Sequence, residues 1–280
     1  MKILAGIVLF NPDINRLKEN IMNVEKQVDK IILIDNASQN INEVEKEFNN
    51  IEIKKNNKNL GIANALNQIL EYATKNKYQW FITLDQDSVC NNQLIEKYIN
   101  NISFEENKDV AMYTCNIVDR NFETNNSNQD KFVDRCITSG TLNNTEKLNS
   151  VGGFDIKMFI DLVDFDICTT LIENGYKIKK IGYNGLLHEV GHARKIKILK
   201  KSEVIYNHTA FRVYYIIRNS IYYAYKHKIK KFYLLTVKRA FLILIFQKNK
   251  KENLKNIMNG TKDGLKMIKE MKHENQKKNK

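Results

Sequence analysis

The chain has 280 residues, 42% of them hydrophobic, with 11 glycines and one proline, which is ample for a sizeable core and argues against a linker-rich or low-complexity protein. Its four cysteines are widely spaced and form no CxxC pair, which argues against a structural zinc site and for reduced thiols in a cytoplasmic protein. The formal net charge of +13 is unevenly spread: residues 1–193 hold 21 Lys+Arg and 27 Asp+Glu, whereas residues 194–280 hold 24 and 5, so the C-terminal segment calls for an anionic partner such as a membrane surface or a nucleic acid.

Met1-Lys2 leads directly into an apolar strand, Ile3 to Phe10, with no sign of a leader peptide. The strand ends at Asn11-Pro12-Asp13, a turn. Leu17, Ile21, Val24 and Val28 recur at helical spacing and predict an amphipathic helix over 14–28. Lys30–Ile34 reads as a second buried strand ending at Asp35, so the first 35 residues form a βαβ unit with a parallel sheet. Asp35 sits on the side where such sheets bind ligands, able either to accept from a nucleobase or to cap a helix near 41–49.

A short strand over 51–54 and a polar loop follow, then a helix with Ile62, Leu66, Ile69, Leu70 and Ala73 inward. Gly61 at its start would admit a ligand to the backbone and the helix N-terminus, or would simply solve a packing problem. Trp80–Leu84 is a continuous apolar run, a buried parallel strand that stops at Asp85-Gln86-Asp87-Ser88. Two carboxylates one residue apart at a strand mouth repel and lose hydration unless a cation lies between them, and a hard divalent ion brings a phosphate with it. The competing reading is an ordinary turn.

Leu94, Ile95, Tyr98 and Ile99 mark a helix, Val110–Val118 a strand, and 119–134 a long polar loop leading to Thr138, Ser139 and Gly140. The turn Gly152-Gly153-Phe154-Asp155 precedes a helix whose N-terminal region carries Asp161, Asp164 and Asp166 among apolar residues. The helix dipole favours acids there, yet an acid against apolar neighbours also makes a good base. Lys177–Ile181 is a strand, and a turn separates it from Leu186-Leu187-His188. His188 is the favoured ligand and His192 is read as exposed. A helix opens near 208 and places Arg212, Tyr215 and Asn219 on one face, suited to phosphate or to ordinary amphipathic packing. The apolar run 232–246 is too short and too interrupted by Lys238 and Arg239 to span a bilayer, so it is interfacial or docked. A weak helix over 256–271 and a disordered tail, 272–280, complete the chain.

The ordered set IDNAS, NLGIANALN, TLDQDS, TSGTL, GGFD…FIDLVDFDIC, LHEVGH and FRVYYIIRN resembles the family 2 glycosyltransferases of the GT-A fold, and within them the bacterial rhamnosyltransferase-like group, over about residues 3–270. The resemblance implies an α/β fold with a mostly parallel central sheet flanked by helices. A catalytic domain would span 1–205, nucleotide-binding over 1–118 and acceptor-binding over 119–205, with a basic helical extension at 206–280 facing the membrane. It implies Phe10, Asn11, Asp35, Gly61, Asn64, Asp85, Arg212, Tyr215, Arg218 and Asn219 around the nucleotide sugar. Asp87 and His188 would hold Mg²⁺ or Mn²⁺, and Thr138, Ser139, Gly140, Asp161 and Asp166 would lie by the acceptor. Asp164 matches the base of an inverting transfer.

The implied donor is dTDP-L-rhamnose, with UDP-hexoses as the alternative. The acceptor would be a polysaccharide or lipid-linked oligosaccharide, and the location cytoplasmic at the inner membrane face, with room for a homodimer. After Asp166 the helix reads Ile167-Cys168-Thr169-Thr170, where relatives more often carry Trp-Cys and then Arg, which loosens the donor assignment. A nucleotidyltransferase would carry a glycine-rich, arginine-containing loop where this chain has Leu9-Phe10-Asn11-Pro12-Asp13. A nucleic-acid-binding protein is the rival of a different class, but the C-terminal aromatics cluster in apolar runs and form no charged stacking platform, so no nucleic acid is expected.

Overall fold

The computed structural model describes residues 1–120, 126–188, 193–198, 201–206 and 209–278. His192 lies outside them. The chain forms two compact units: Met1–Phe159 with Val163–Val190, and Ile160–Leu162 with Gly191–Lys280.

The first unit is a mixed sheet flanked by helices. Its parallel half follows from the apolar runs: β1 (Ile3–Leu9) is buried at every residue and lies between β2 (Lys30–Asp35) and β4 (Trp80–Asp85), with β3 (Glu52–Lys55) outside β2. The crossovers are α1 (Ile14–Val24), α2 (Ile41–Glu47) and α3 (Ile62–Lys75). Asp13 caps α1 by accepting the Arg16 N–H at 3.0 Å. In parallel register Leu9 stands opposite Asp35 and Val8 opposite Asp85, so both acids leave the sheet at its C-terminal edge.

Beyond β4 the direction changes. β5 (Val89–Cys90) is a two-residue strand, and α4 (Leu94–Ile102) leads to β6 (Val110–Asp119). The stretch expected as one loop contains β7 (Lys131–Phe132). β8 (Thr141–Asn144) inserts antiparallel between β4 and β6, a polar strand that the pattern of apolar runs missed. Its buried Asn143 donates through Nδ2 to Phe81 O at 3.2 Å and to Thr141 O at 2.8 Å, so the amide nitrogen is satisfied internally, while its Oδ1 has no partner. α5 (Thr145–Ser150) and α6 (Val163–Glu173) follow.

The turn expected before Leu186 is absent. β9 runs unbroken from Lys177 to His188, parallel to β6 with three register shifts. Gly182 and Gly185 are there for clearance: a Cβ at Gly182 would lie 2.1 Å from Asn128 C, and one at Gly185 would lie 2.4 Å from the Leu94 side chain.

The second unit holds the antiparallel pair β10 (Ala193–Ile198) and β11 (Lys201–Tyr206), which the sequence reading did not anticipate, and three helices. These are α7 (Ala210–Lys226), α8 (Lys230–Phe246) and α9 (Lys250–Lys278). α9 replaces both the short last helix and most of the disordered tail that were expected. Its Gly260 and Gly264 let it close on α7: Cβ atoms there would stand 2.6 Å from Tyr214 O and 2.8 Å from Arg218 O. α8 buries Phe232, Thr236 and Ile243 and turns Leu234, Leu235, Val237 and Phe241 outward. No helix among the described residues is long and apolar enough to cross a membrane.

Candidate active site

Where β4 ends, Asp85-Gln86-Asp87-Ser88 closes a tight turn with the Ser88 N–H donating to Asp85 O at 3.2 Å. β5 starts at the next residue and pairs antiparallel with β9, Val89 opposite Leu187. That register sets Ser88 against His188, and Ser88 Oγ lies 2.8 Å from His188 Nδ1. Donor atoms of Asp85, Asp87 and His188 consequently all fall within 4.8 Å of one another, the one such group of three among the described residues. Two carboxylates and one imidazole suit a divalent ion of the Mn²⁺ or Mg²⁺ kind, so the donor set fits the metal that the acidic motif calls for. Burial pushes the Asp85 carboxyl up, His188 pulls it down, and the neighbouring charge of Asp87 raises it again. A cation between them removes that conflict.

The surrounding residues are fixed in pairs. Asp35 is buried, and its carboxylate accepts from the Ala37 N–H at 3.1 Å and the Ser38 N–H at 3.2 Å. It closes its own turn and does not cap α2, which starts at Ile41 behind Asn40. Asn11, at φ 50°, accepts the Gln39 N–H through Oδ1 at 2.7 Å and donates its own N–H to Ser38 Oγ at 2.9 Å. Phe10, the residue after β1, is 48% exposed.

Gly61 has φ 84°, and a Cβ there would sit 2.5 Å from Phe159 O. The adjacent Ile62 N–H donates to the same oxygen at 2.6 Å. The packing alternative for this glycine therefore describes what it contacts. Asn64, in the first turn of α3, is half-buried. Asn36, Asn56, Asn67 and Gln68 were given no role by sequence. Asn36 Nδ2 donates to Gly61 O at 3.2 Å and its Oδ1 accepts from Asn56 at 3.1 Å, while Asn56 and Gln68 join side chain to side chain. Asn67 clamps Phe154 by both its N–H, at 2.8 Å, and its C=O, at 2.7 Å, which seats the Gly152-Gly153-Phe154 turn before α6.

Three of the residues expected at an acceptor are enclosed in this structure. Ser139 is 3% exposed and its Oγ accepts the Asp85 N–H at 3.0 Å and donates to Ser88 at 2.8 Å. Gly140 is buried, its carbonyl taken by the Tyr98 hydroxyl at 2.6 Å. Asp166 is 2% exposed on the inner face of α6. Thr138 stands beside them, its carbonyl accepting from Thr83 Oγ at 2.6 Å. Asp164, in the first turn of α6, is half-buried and accepts the Phe165 N–H at 2.9 Å. α6 meets the loop below the acidic pair through sulfur: Cys168 Sγ is 3.6 Å from Cys136 Sγ, three residues before Ser139. Asp164 is close enough to help raise the Cys136 thiol, behind its hydrogen bond with Cys168 and its burial. The helix that carries Asp164 and the Asp85–Asp87 turn thus both meet the segment from Cys136 to Ser139, the helix through Cys168 and the turn through Ser139.

In the second unit, Arg212 pairs with Asp161 at 2.7 Å, and Asn219 Nδ2 donates to Ile160 O at 2.7 Å and to Asp161 O at 2.9 Å. Arg218 stacks over the Tyr215 ring at 4.5 Å and donates to Asn219 Oδ1 at 2.9 Å. α7 therefore brings Arg212, Asn219 and Asp161 together, with Asp161 and Leu162 held at φ 65° and 64°.

Comparison with known proteins agrees with this fold. A curated relative, the dTDP-rhamnosyl transferase RfbF of Shigella flexneri, is 26% identical over 95% of this chain and 96% of its own length. Among solved structures, residues 1-349 of S. aureus TarS superpose with a TM-score of 0.60 at 14% identity, covering 96% of this chain and 81% of that one. A crystal structure of GalNAc-T7 with UDP, GalNAc and Mn²⁺ superposes at 0.57 with 13% identity, over 88% of this chain and 56% of that one. These likenesses show a shared GT-A-like fold. The family model described as glycosyl transferase family 2 matches residues 6–163, more than half of the sequence, and the chain belongs to that family.

Proposed function

We propose that this chain is an inverting glycosyltransferase that moves L-rhamnose from dTDP-L-rhamnose to a hydroxyl of a polysaccharide or lipid-linked oligosaccharide. The observation that carries the transferase reading is the convergence of Asp85, Asp87 and His188 at the C-terminal edge of the sheet. RfbF, named a dTDP-rhamnosyl transferase, supports rhamnose as the sugar. TarS has been crystallised with UDP and with UDP-GlcNAc, which supports a nucleotide-sugar donor and keeps a UDP-hexose as the alternative.

Asp87 and His188, with Asp85 beside them, would hold Mn²⁺ or Mg²⁺. When bound, such an ion offsets the negative charge that builds on a departing diphosphate. Asp164 takes the proton of the acceptor hydroxyl. The hydroxyl oxygen then bonds to the anomeric carbon from the face opposite the nucleotide, the bond from that carbon to the phosphate oxygen breaks, and the nucleoside diphosphate leaves with both electrons. Of the acids near the start of α6, Asp166 is enclosed and Asp161 holds Arg212, whereas Asp164 keeps part of its surface. That contrast favours it as the base.

Phe10, Asn11, Asp35 and Asn64 are proposed to receive the nucleotide, with Arg212, Tyr215, Arg218 and Asn219 contributing to diphosphate binding. The outward apolar residues of α8 and the excess of lysine after residue 193 support attachment to an anionic bilayer. The test is a thermal-shift panel of dTDP- and UDP-sugars with and without Mn²⁺, followed by turnover of whichever donor stabilises. Stabilisation by dTDP-L-rhamnose only when Mn²⁺ is present is expected. Stabilisation confined to UDP-sugars would replace the donor, and none by any nucleotide sugar would overturn the transferase reading.

A further inference from the structure

A chain of buried hydroxyls runs beneath the acidic turn. The Asp85 N–H can only donate, and it donates to Ser139 Oγ at 3.0 Å. Ser139 is therefore free to direct its own proton to Ser88 Oγ, 2.8 Å away. Ser88 is fully enclosed and touches His188 Nδ1 at 2.8 Å. One ring nitrogen of His188 is thus committed to protein. The other, Nε2, is the nitrogen left for a ligand, and one ring nitrogen of His188 lies within 4.8 Å of carboxylate oxygens of both Asp85 and Asp87. A histidine can ligate through Nε2 only with its proton on Nδ1, and the partner of Nδ1 sets both tautomer and ring angle. Ser88 Oγ has two lone pairs, one for the Ser139 hydroxyl and one for an Nδ1–H.

We infer that Ser139 and Ser88 are positioning residues that hold His188 as an Nε2 ligand for a divalent cation, linking the imidazole to the backbone of Asp85. The inference rests on the proposed metal-dependent reading of this site. It gives a reason for hydroxyls at two enclosed positions: alanine at 88 would leave Nδ1 unpartnered, and alanine at 139 would leave the Asp85 N–H without its acceptor and Ser88 without its donor.

The test uses the full chain and Mn²⁺ alone, with free ion followed by electron paramagnetic resonance. Ser88→Ala is expected to weaken Mn²⁺ binding about tenfold or more, the usual cost of losing such an outer partner, and Ser139→Ala by less. His188→Ala should lose more than either. If His188→Ala loses affinity while Ser88→Ala stays within about twofold of the parent, the relay is overturned and the metal reading stands. If His188→Ala binds as the parent does, His188 is no ligand and the relay is overturned, whereas absence of Mn²⁺ binding by the parent itself would overturn the metal reading.

A second measurement needs no substitution. Long-range ¹⁵N–¹H spectra of the unaltered protein should show the His188 proton on Nδ1, with Nε2 moving as Mg²⁺ is added. A proton on Nε2 at saturating Mg²⁺ would overturn the assignment.

Discussion

Gln86 and Phe10 hold each other by both backbone groups. The Phe10 N–H donates to Gln86 Oε1 at 2.8 Å, and Gln86 Nε2 donates to Phe10 O at 3.3 Å. The residue between the two aspartates thereby fastens the end of β1 to the end of β4, with the exposed Phe10 ring at the junction. Gln86→Ala should release Phe10 and lower nucleotide-sugar affinity several-fold, since two hydrogen bonds of about 1 kcal/mol each are lost. Gln86→Glu keeps the acceptor but loses the donor and adds a third negative charge beside Asp85 and Asp87. Calorimetric titration with the donor checks both. Equal affinities in all three proteins would show that this clamp has no part in binding.

Asp164→Asn should lower turnover by roughly 10²–10⁴ while donor affinity changes less than about twofold, because only the proton acceptor is removed. Single-turnover kinetics and donor titration separate the two effects. Parallel losses in both would move Asp164 from catalysis to binding.

Asp87→Ala should make nucleotide-sugar affinity insensitive to Mn²⁺, and chelation of the parent protein should have the same effect until Mn²⁺ is restored. The Mn²⁺ dependence of the dissociation constant is the measurement. A variant that keeps the parent's dependence would exclude Asp87 as a ligand.

Gly61→Ala combines an unfavourable φ of 84° with a Cβ 2.5 Å from Phe159 O. It should destabilise the protein by more than about 1 kcal/mol in urea unfolding, whatever happens to binding. A stability within error of the parent would mean that the start of α3 yields easily.

Leu234 and Phe241 are 75% and 62% exposed on α8. Changing both to serine removes about 2 kcal/mol of apolar burial per side chain from any bilayer contact. Co-sedimentation with phosphatidylglycerol vesicles should fall at least tenfold. Phosphatidylcholine vesicles should retain little of either protein, because the lysines then lack a counter-charge. Equal retention of parent and variant on anionic vesicles would remove α8 from the contact.

Much of the first unit was legible from apolar runs, because buried parallel strands leave nowhere for a polar side chain to go. Asp85 and Asp87 announced themselves as charges at such a strand's end. Other parts were hidden by residues doing two jobs. β8 reads as a loop because Thr141, Asn143 and Asn144 are polar, and only the structure supplies Asn143 with its carbonyl partners. Gly182 and Gly185 read as a turn but are clearance points within β9. Ser139 carries a hydroxyl that suits an acceptor pocket, and only the structure shows it buried with its Oγ accepting the Asp85 N–H. Arg212 and Asn219 were correctly placed on one helix face, yet their partners at 160–161 are fifty or more positions away and leave no local signature.

β9 acts as a ruler. His188 sits twelve residues along it, and neighbouring residues of a strand face opposite ways. Deleting or adding one residue between Lys177 and His188 would swing the imidazole to the far side of the sheet, unless a compensating bulge absorbed the change. The strand can trade one side chain for another along much of its length, but its residue count is as constrained as the identity of the histidine at its tip.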